Sequence, residues 1–144
     1  MAPVLIAGIG SPHGADRLGW CVIEALRQES LPVPVNLVSC SLPAELTSLL
    51  LESPRAIVID ALLGSGPAGT IHTLNYAELP QAQLRLSSHG VGLVDAVLLA
   101  SALGMPTERL CVLALDVMYP EAELNPVWIN ALVRRVREWL TAVR

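Results

Sequence analysis

Residues 3–10, PVLIAGIG, form an unbroken apolar run that ends in a glycine turn. Such a run is typical of a strand buried on both faces of a sheet, because a half-exposed strand alternates apolar and polar side chains. Residues 18–28 follow with apolar side chains at helical spacing, and residues 33–41 form a second β-prone stretch. A strand, a helix and a strand in this order predict a βαβ unit.

The same alternation continues downstream. Residues 43–53, PAELTSLLLES, predict a helix with Pro43 in its first turn, and residues 55–64, RAIVIDALLG, predict a third buried strand. Residues 69–74, GTIHTL, follow this strand too closely for a crossover helix, so they predict an added antiparallel strand.

The last third of the chain completes the pattern. Ser87 or Ser88 is placed to cap a helix that runs through Leu103, and residues 109–117, RLCVLALDV, predict the last strand. A final helix is predicted from Pro126 to the C-terminus. The expected fold is α/β: a single-domain three-layer sandwich over residues 1–144, whose twisted sheet is mostly parallel, has one antiparallel strand and carries helices on both faces.

The composition excludes several classes of protein. Of 144 residues, 53% are hydrophobic and 15% charged, which rules out disorder and favours a large core. The nine basic residues are all arginine against thirteen acidic ones, so a net charge of −4 gives no basis for binding nucleic acid or an anionic membrane. No apolar stretch reaches the ~20 residues of a membrane span, and no basic leader precedes the first strand, so we expect a cytoplasmic protein.

The three cysteines are predicted to be buried free thiols. Cys21, Cys40 and Cys111 are odd in number, show no CxxC spacing and each lie in an apolar segment. This spacing argues against a disulfide and against a zinc-thiolate site.

Three polar residues are candidates for a functional site. In an open parallel sheet, ligands bind beyond the carboxyl ends of the strands. Asp16 lies in the loop after the first strand, Asp60 is predicted to end the third, and His89 is predicted to begin a helix. Because right-handed crossovers commonly place the first and third strands side by side, Asp16 and Asp60 are expected at one edge. Two carboxylates and an imidazole suit zinc, nickel or another borderline divalent ion.

Each candidate also has a purely structural interpretation. Asp16 is placed to cap the first helix, and His89 stands beside two serines at a helix start. Asp60 directly follows AIVI, where an acid is costly unless it is solvated, hydrogen-bonded or paired. His13 in the glycine loop and His72 in the β-prone run are more typical of an exposed loop and an ordinary strand residue, so neither is assigned a catalytic role.

Three stretches in order resemble the hydrogenase maturation endopeptidase family, which processes the large subunit of nickel–iron hydrogenases. GIGSPHGADRLG at residues 8–19 resembles the family's glycine- and acid-rich first loop. VIDALLGSGPAGTIHTL at residues 58–74 resembles its strand, DA and PGT segment, and SSHGVGLVDAVLLASALG at residues 87–104 resembles its His-Gly-x-Gly helix start. The resemblance spans nearly the whole chain and implies a twisted sheet between helices.

The resemblance also implies an activity. Members remove a C-terminal extension from the hydrogenase large-subunit precursor after nickel insertion, so the expected partner is that precursor and the expected enzyme is a nickel-dependent endopeptidase. Asp16, Asp60 and His89 match the family's metal-binding positions and are the residues expected to carry catalysis. The substrate is expected to bring the nickel, and zinc or cadmium can occupy such a site adventitiously.

The sequence departs from the family pattern in places. Ser11 stands where Asn is common, Ala15 where a second acid is common, and Arg17 where Gly is frequent. Residues 114–128, ALDVMYPEAELNPVW, also differ from the family's common Gly-Ile and Pro-Glu motifs. Two alternatives therefore stay open at this point: a nucleotide- or small-ligand-binding protein that uses the Gly8-x-Gly10 loop, and a maturation adaptor that binds a precursor without cutting it.

Overall fold

The computed structural model describes residues 2–64, 66–87 and 92–142, except for the side chain of Pro43. The strands are β1 (Val4–Ile9), β2 (Val35–Cys40), β3 (Ala56–Leu62), β4 (Ile71–Leu74) and β5 (Leu110–Asp116). The α-helices are α1 (Leu18–Arg27), α2 (Pro43–Glu52), α3 (Leu79–Ala82), α4 (Leu93–Ala102) and α5 (Pro126–Ala142). Short 3-10 helices lie at Gly14–Arg17, Tyr76–Glu78 and Thr107–Arg109. None of the described helices is long and apolar enough to cross a membrane.

The strands form one sheet in the order β2-β1-β3-β5-β4. The pairs β1–β2, β1–β3 and β3–β5 are parallel, and β4 pairs antiparallel with β5. The predicted α/β class, the side-by-side placement of the first and third strands and the antiparallel added strand are all confirmed. Strands β3 and β5 are buried along their whole length, as expected of central strands with helices on both faces.

Each face of the sheet has its own apolar core. Helices α2 and α4 cover one face, which we call the α2/α4 face, and contact side chains such as Val58 and Val112. Helices α1 and α5 cover the other and contact Ile57 and Leu113. The alternation of odd and even positions along each strand therefore decides to which face a polar side chain points.

The fourth helix begins later than the sequence predicts. Its N-cap is Gly92, at φ 80°, and its first residue is Leu93, so Ser87 does not cap it; Ser88 lies outside the described residues. The final helix begins as predicted at Pro126, because the Asn125 side chain accepts a hydrogen bond from the backbone N–H of Val127 at 2.9 Å.

Helix α1 lies unusually close to the sheet. A Cβ built on Gly8 would collide with the backbone of Gly19, and one built on Gly19 would collide with Ile9 O and lie 2.9 Å from Ile59 O. Two facing glycines therefore allow the start of α1 to rest directly on β1 and β3. Gly8 is required by this packing, and Gly10 by the close approach of Asp16 O, which a Cβ built on Gly10 would meet.

All three cysteines are free thiols, as predicted, but the prediction that all are buried is wrong for Cys21. Cys40 and Cys111 are buried and Cys21 is half-buried. Burial raises the pKa of Cys40 to about 11, with a smaller contribution from Glu45, and also raises the pKa of Cys111.

Candidate active site

Asp60 is a buried carboxylate near the carboxyl end of β3. The strand continues for two residues beyond it, because Ala61 and Leu62 pair with β5, so Asp60 lies within the strand and not at its end as predicted. Its side chain is fully buried and shares the α2/α4 face with Val58. The sequence correctly singled out this acid as one that needs partners.

Those partners come from two directions. The backbone N–H of Ala61 donates to Asp60 Oδ1 at 2.8 Å, and the Ser87 hydroxyl donates to the same oxygen at 3.0 Å. Ser87, predicted as a helix cap, therefore holds a site residue from the segment that precedes α4. Hydrogen bonds to a carboxylate stabilise its charged form in a buried setting.

Asp16 lies in the 3-10 helix Gly14–Arg17, just before α1. The N-cap of α1 is Arg17, and no side chain caps the helix, so the capping interpretation of Asp16 is wrong. Asp16 Oδ2 accepts a long hydrogen bond from Ser11 Oγ at 3.4 Å. Its Oδ1 is buried and has no hydrogen-bond partner in the described part of the chain, which leaves an acceptor for a ligand.

The first loop is fixed to the connection after β5. The backbone N–H of Ala15 donates to Pro120 O at 2.8 Å, and Gly14, at φ 51°, packs so closely on that carbonyl that a side chain would collide with it. The Asp16 N–H also donates to His13 O at 3.0 Å. Asp16 therefore belongs to an ordered turn that contacts β3, and not to a flexible glycine loop.

The three histidines have different outcomes. His89 lies outside the described residues, so its predicted role stays a prediction. His13 is exposed, as expected of a loop histidine. His72 is a residue of β4, as expected; it is half-buried opposite Ala114, and its Nε2 is buried with no hydrogen-bond partner among the described residues.

One buried acid was missed. Asp116, the last residue of β5, is fully buried, and its Oδ2 has no hydrogen-bond partner in the described ranges. The signal was the same as for Asp60, since an acid directly follows the apolar run CVLAL. The apolar run by itself predicts a strand and assigns no role to the acid that follows it.

The carboxylate side chains of Asp16 and Asp60 are chemically suited to bind a divalent cation. Carboxylate oxygens bind borderline divalent ions, and Asp16 Oδ1 is buried without a partner in the described ranges. Residues 2–64, 66–87 and 92–142 contain no group of three His, Cys, Asp or Glu side chains close enough to hold a metal. The described part of the chain thus supplies an incomplete set of ligands.

Fold and site together define an α/β protein with two buried acids, Asp60 and Asp116, near the carboxyl ends of neighbouring parallel strands, where such folds bind ligands. The sequence profile of the hydrogenase maturation protease family, HycI, matches residues 21–141. The chain therefore belongs to the hydrogenase maturation protease family, whose members cleave the C-terminal extension of the hydrogenase large subunit. The family resemblance noted in the sequence is confirmed.

Solved structures agree in fold. An endopeptidase from Escherichia coli, solved in solution, superimposes with a TM-score of 0.75 at 22% identity, covering 97% of this chain and 90% of that one. The hydrogenase maturating endopeptidase HybD from E. coli gives 0.71 at 23% identity, with coverage of 97% and 90%. The nickel–iron hydrogenase maturation protease HycI from Thermococcus kodakarensis gives 0.71 at 18% identity, with coverage of 97% and 93%. Among curated protein sequences, none matches significantly.

Proposed function

We propose that this protease cleaves its hydrogenase large-subunit precursor only after nickel insertion, and that Asp16, Asp60 and His89 engage the nickel carried by the precursor. The observation that carries the proposal is the pairing of β1 with β3, which brings the Asp16 turn into contact with the strand that holds Asp60. Buried carboxylates at this edge are expensive unless a cation or donor compensates them.

In this proposal the nickel belongs to the substrate and not to the protease. Two carboxylates and one imidazole suit nickel, and the same donor set accepts zinc or cadmium when the precursor is absent. Bound at the scissile segment, such an ion supplies polarisation of the carbonyl or activation of water.

The two carboxylates are proposed to differ in role. Asp60 Oδ1 already accepts two hydrogen bonds, from Ala61 N–H and Ser87 Oγ, so its orientation is fixed and it is suited to binding. Asp16 Oδ1 has no such partner in the described ranges, so Asp16 is the better candidate to accept a proton as the peptide bond is hydrolysed.

A variant series tests these roles. Asp16→Asn, Asp60→Asn and His89→Ala are each incubated with nickel-loaded precursor, and the released C-terminal peptide is measured by intact mass. We expect each to reduce cleavage by about 100-fold or more, as loss of a catalytic group does. Asp95→Asn makes the same chemical change at an exposed position of α4 and should leave cleavage unchanged.

Measuring precursor binding beside cleavage distinguishes the loss of a catalytic residue from the absence of protease activity. Variants that still bind precursor but do not cut it support roles in chemistry. Wild-type protein that binds precursor and releases no peptide would instead favour an adaptor. Full cleavage by Asp60→Asn would refute the assignment of that residue.

A further inference from the structure

Asp116 lies beside Asp60 on the same face of the sheet. Asp60 is paired with Ala114 and Leu62 with Asp116 across β3 and β5, so both acids point to the α2/α4 face. A strand spacing of ~4.8 Å and a rise of ~3.3 Å per residue place their Cα atoms roughly 8 Å apart. The two carboxylates therefore belong to one end of the sheet, with Asp116 further out along its strand.

The carboxylate of Asp116 is held by its surroundings on one side only. Oδ1 accepts the backbone N–H of Met118 at 2.9 Å. The Asp116 N–H donates to Thr70 O at 2.9 Å, and its carbonyl accepts from Gly69 N–H at 2.7 Å. These three bonds fix the residue, yet Oδ2 is buried without a hydrogen-bond partner among the described residues.

No cation of the described chain compensates this oxygen. The ion pairs found there join Arg27 to Glu24 and Arg137 to Glu29, and neither includes Asp116. Gly66 lies close to this oxygen, since a Cβ built on it would be 3.9 Å from Oδ2, but it has no side chain that could donate. A buried carboxylate oxygen without a donor is costly to maintain, so Asp116 Oδ2 is open to a donor that the described residues do not supply.

The residues next to Asp116 have an unusual backbone conformation and exposed apolar side chains. Met118 has φ 73°, a left-handed conformation that disfavours non-glycine residues, and it is 47% exposed. Tyr119 beside it is 57% exposed. Strained backbone and exposed large apolar side chains at the end of a strand are features of binding sites. The Met118 N–H bond to Asp116 links the two features.

We propose that residues 116–119 form a peptide-binding element in which Asp116 Oδ2 accepts an N–H of the precursor, while Met118 and Tyr119 contact an adjacent apolar side chain. This inference rests on the proposed function, because it names how the same substrate is held. Asp116 is fully buried, whereas Met118 and Tyr119 are exposed, so the precursor first contacts these two side chains and reaches Asp116 Oδ2 only if residues 116–119 rearrange locally. The donor is either a backbone N–H or a basic side chain of the precursor.

Asp116→Asn isolates the proposed contact. Asparagine keeps an oxygen to accept the Met118 N–H and replaces the free acceptor with a donor. We expect kcat/KM for nickel-loaded precursor to fall about 10- to 100-fold, mainly through KM, as loss of a hydrogen bond to a charged group does. We also expect an unchanged or higher Tm, because the unpartnered charge is removed. Asp95→Asn is the matched control.

Met118→Gly tests the apolar part. Glycine adopts the left-handed conformation freely, so we expect Tm to hold or to rise by up to about 4 °C. Cleavage should nevertheless weaken through KM, since the exposed side chain is lost. If these residues had a purely structural role, the variant would not gain stability while it loses affinity for the substrate.

The precursor itself distinguishes the two donors. If the loss caused by Asp116→Asn disappears on a precursor whose basic residues near the cleavage site are changed to alanine, the donor is a side chain; if it persists, the donor is a backbone N–H. Unchanged kcat/KM, or a fall in Tm that parallels the loss of activity, would overturn the inference alone. Absence of cleavage by the wild type would overturn the proposed function, and this inference with it.

Discussion

Gly19→Ala tests whether the close contact between α1 and the sheet positions the active site. The added methyl would collide with Ile9 O and lie 2.7 Å from Ile9 N and 2.9 Å from Ile59 O. Carbon atoms do not pack this closely against backbone, so α1 must retreat by roughly 1 Å. The Asp16 turn directly precedes this helix and would move with it.

The change in folding stability caused by Gly19→Ala is the sum of two opposing effects. Overpacking of a tight contact costs about 1–3 kcal/mol, and the upper end applies because the collisions involve backbone on two strands. Alanine in place of glycine in a helix returns up to about 1 kcal/mol. A net loss of about 2 kcal/mol corresponds to a fall in Tm of about 4–8 °C for a chain of this size. A 1 Å displacement of a catalytic group can cost ~100-fold in rate.

The assay measures thermal unfolding and precursor cleavage on the same preparations at a temperature where both proteins are folded. Gly104→Ala is the control, since Gly104 has φ 113° with nothing within 4 Å of the added Cβ; it should lower Tm through backbone strain and leave cleavage intact. A Gly19→Ala protein with a wild-type Tm and full activity would refute the idea that this contact positions Asp16.

Three further predictions concern single contacts. Ser87→Ala removes the hydroxyl that donates to Asp60, so it should destabilise the fold by about 1–2 kcal/mol and reduce kcat/KM. The control Ser53→Ala loses only a local hydrogen bond to Leu49 O and should keep full activity. Thr47→Val removes the 3.0 Å bond to Ala96 O that joins α2 to α4; urea unfolding should show a loss of about 1 kcal/mol with cleavage unaffected. At pH 8 a thiol reagent should label Cys21 quickly and Cys40 and Cys111 slowly, because burial raises the pKa of the latter two and keeps them as thiols; equal labelling of all three, read by peptide mass, would contradict the packing.

The sequence was most informative where one physical requirement dominates. Continuous apolar runs predicted the buried strands, and the short connection before residues 69–74 predicted the antiparallel pairing of β4, since no crossover fits there. Pro43 and Pro126 marked two helix starts because proline suits the first turn. These signals are local, so no knowledge of the tertiary contacts is needed to use them.

The sequence was least informative where a side chain has two possible partners. Ser87 carries a strong capping signal, but tertiary contact directs its hydroxyl to Asp60, and α4 begins five residues later than a cap at Ser87 would place it. Asp16 likewise precedes a helix without capping it. The choice between a backbone N–H and a distant partner depends on packing that local sequence does not encode.

Asp60 and Asp116 show how far composition can identify a site. Both follow apolar runs in buried strands, and both are fully buried. The difference lies in their hydrogen-bond partners. Asp60 Oδ1 accepts two hydrogen bonds, whereas Asp116 Oδ1 accepts one and Asp116 Oδ2 accepts none in the described ranges. Only the three-dimensional contacts reveal this difference.

Cleavage by the purified wild-type protein tests the central claim most directly. The protein is incubated with nickel-loaded large-subunit precursor and, in parallel, with the same precursor prepared without nickel, and both are followed by intact mass. We expect release of a C-terminal peptide from the nickel-loaded precursor alone. Equal cleavage of the nickel-free precursor would contradict the claim that Asp16, Asp60 and His89 act on a nickel carried by the substrate.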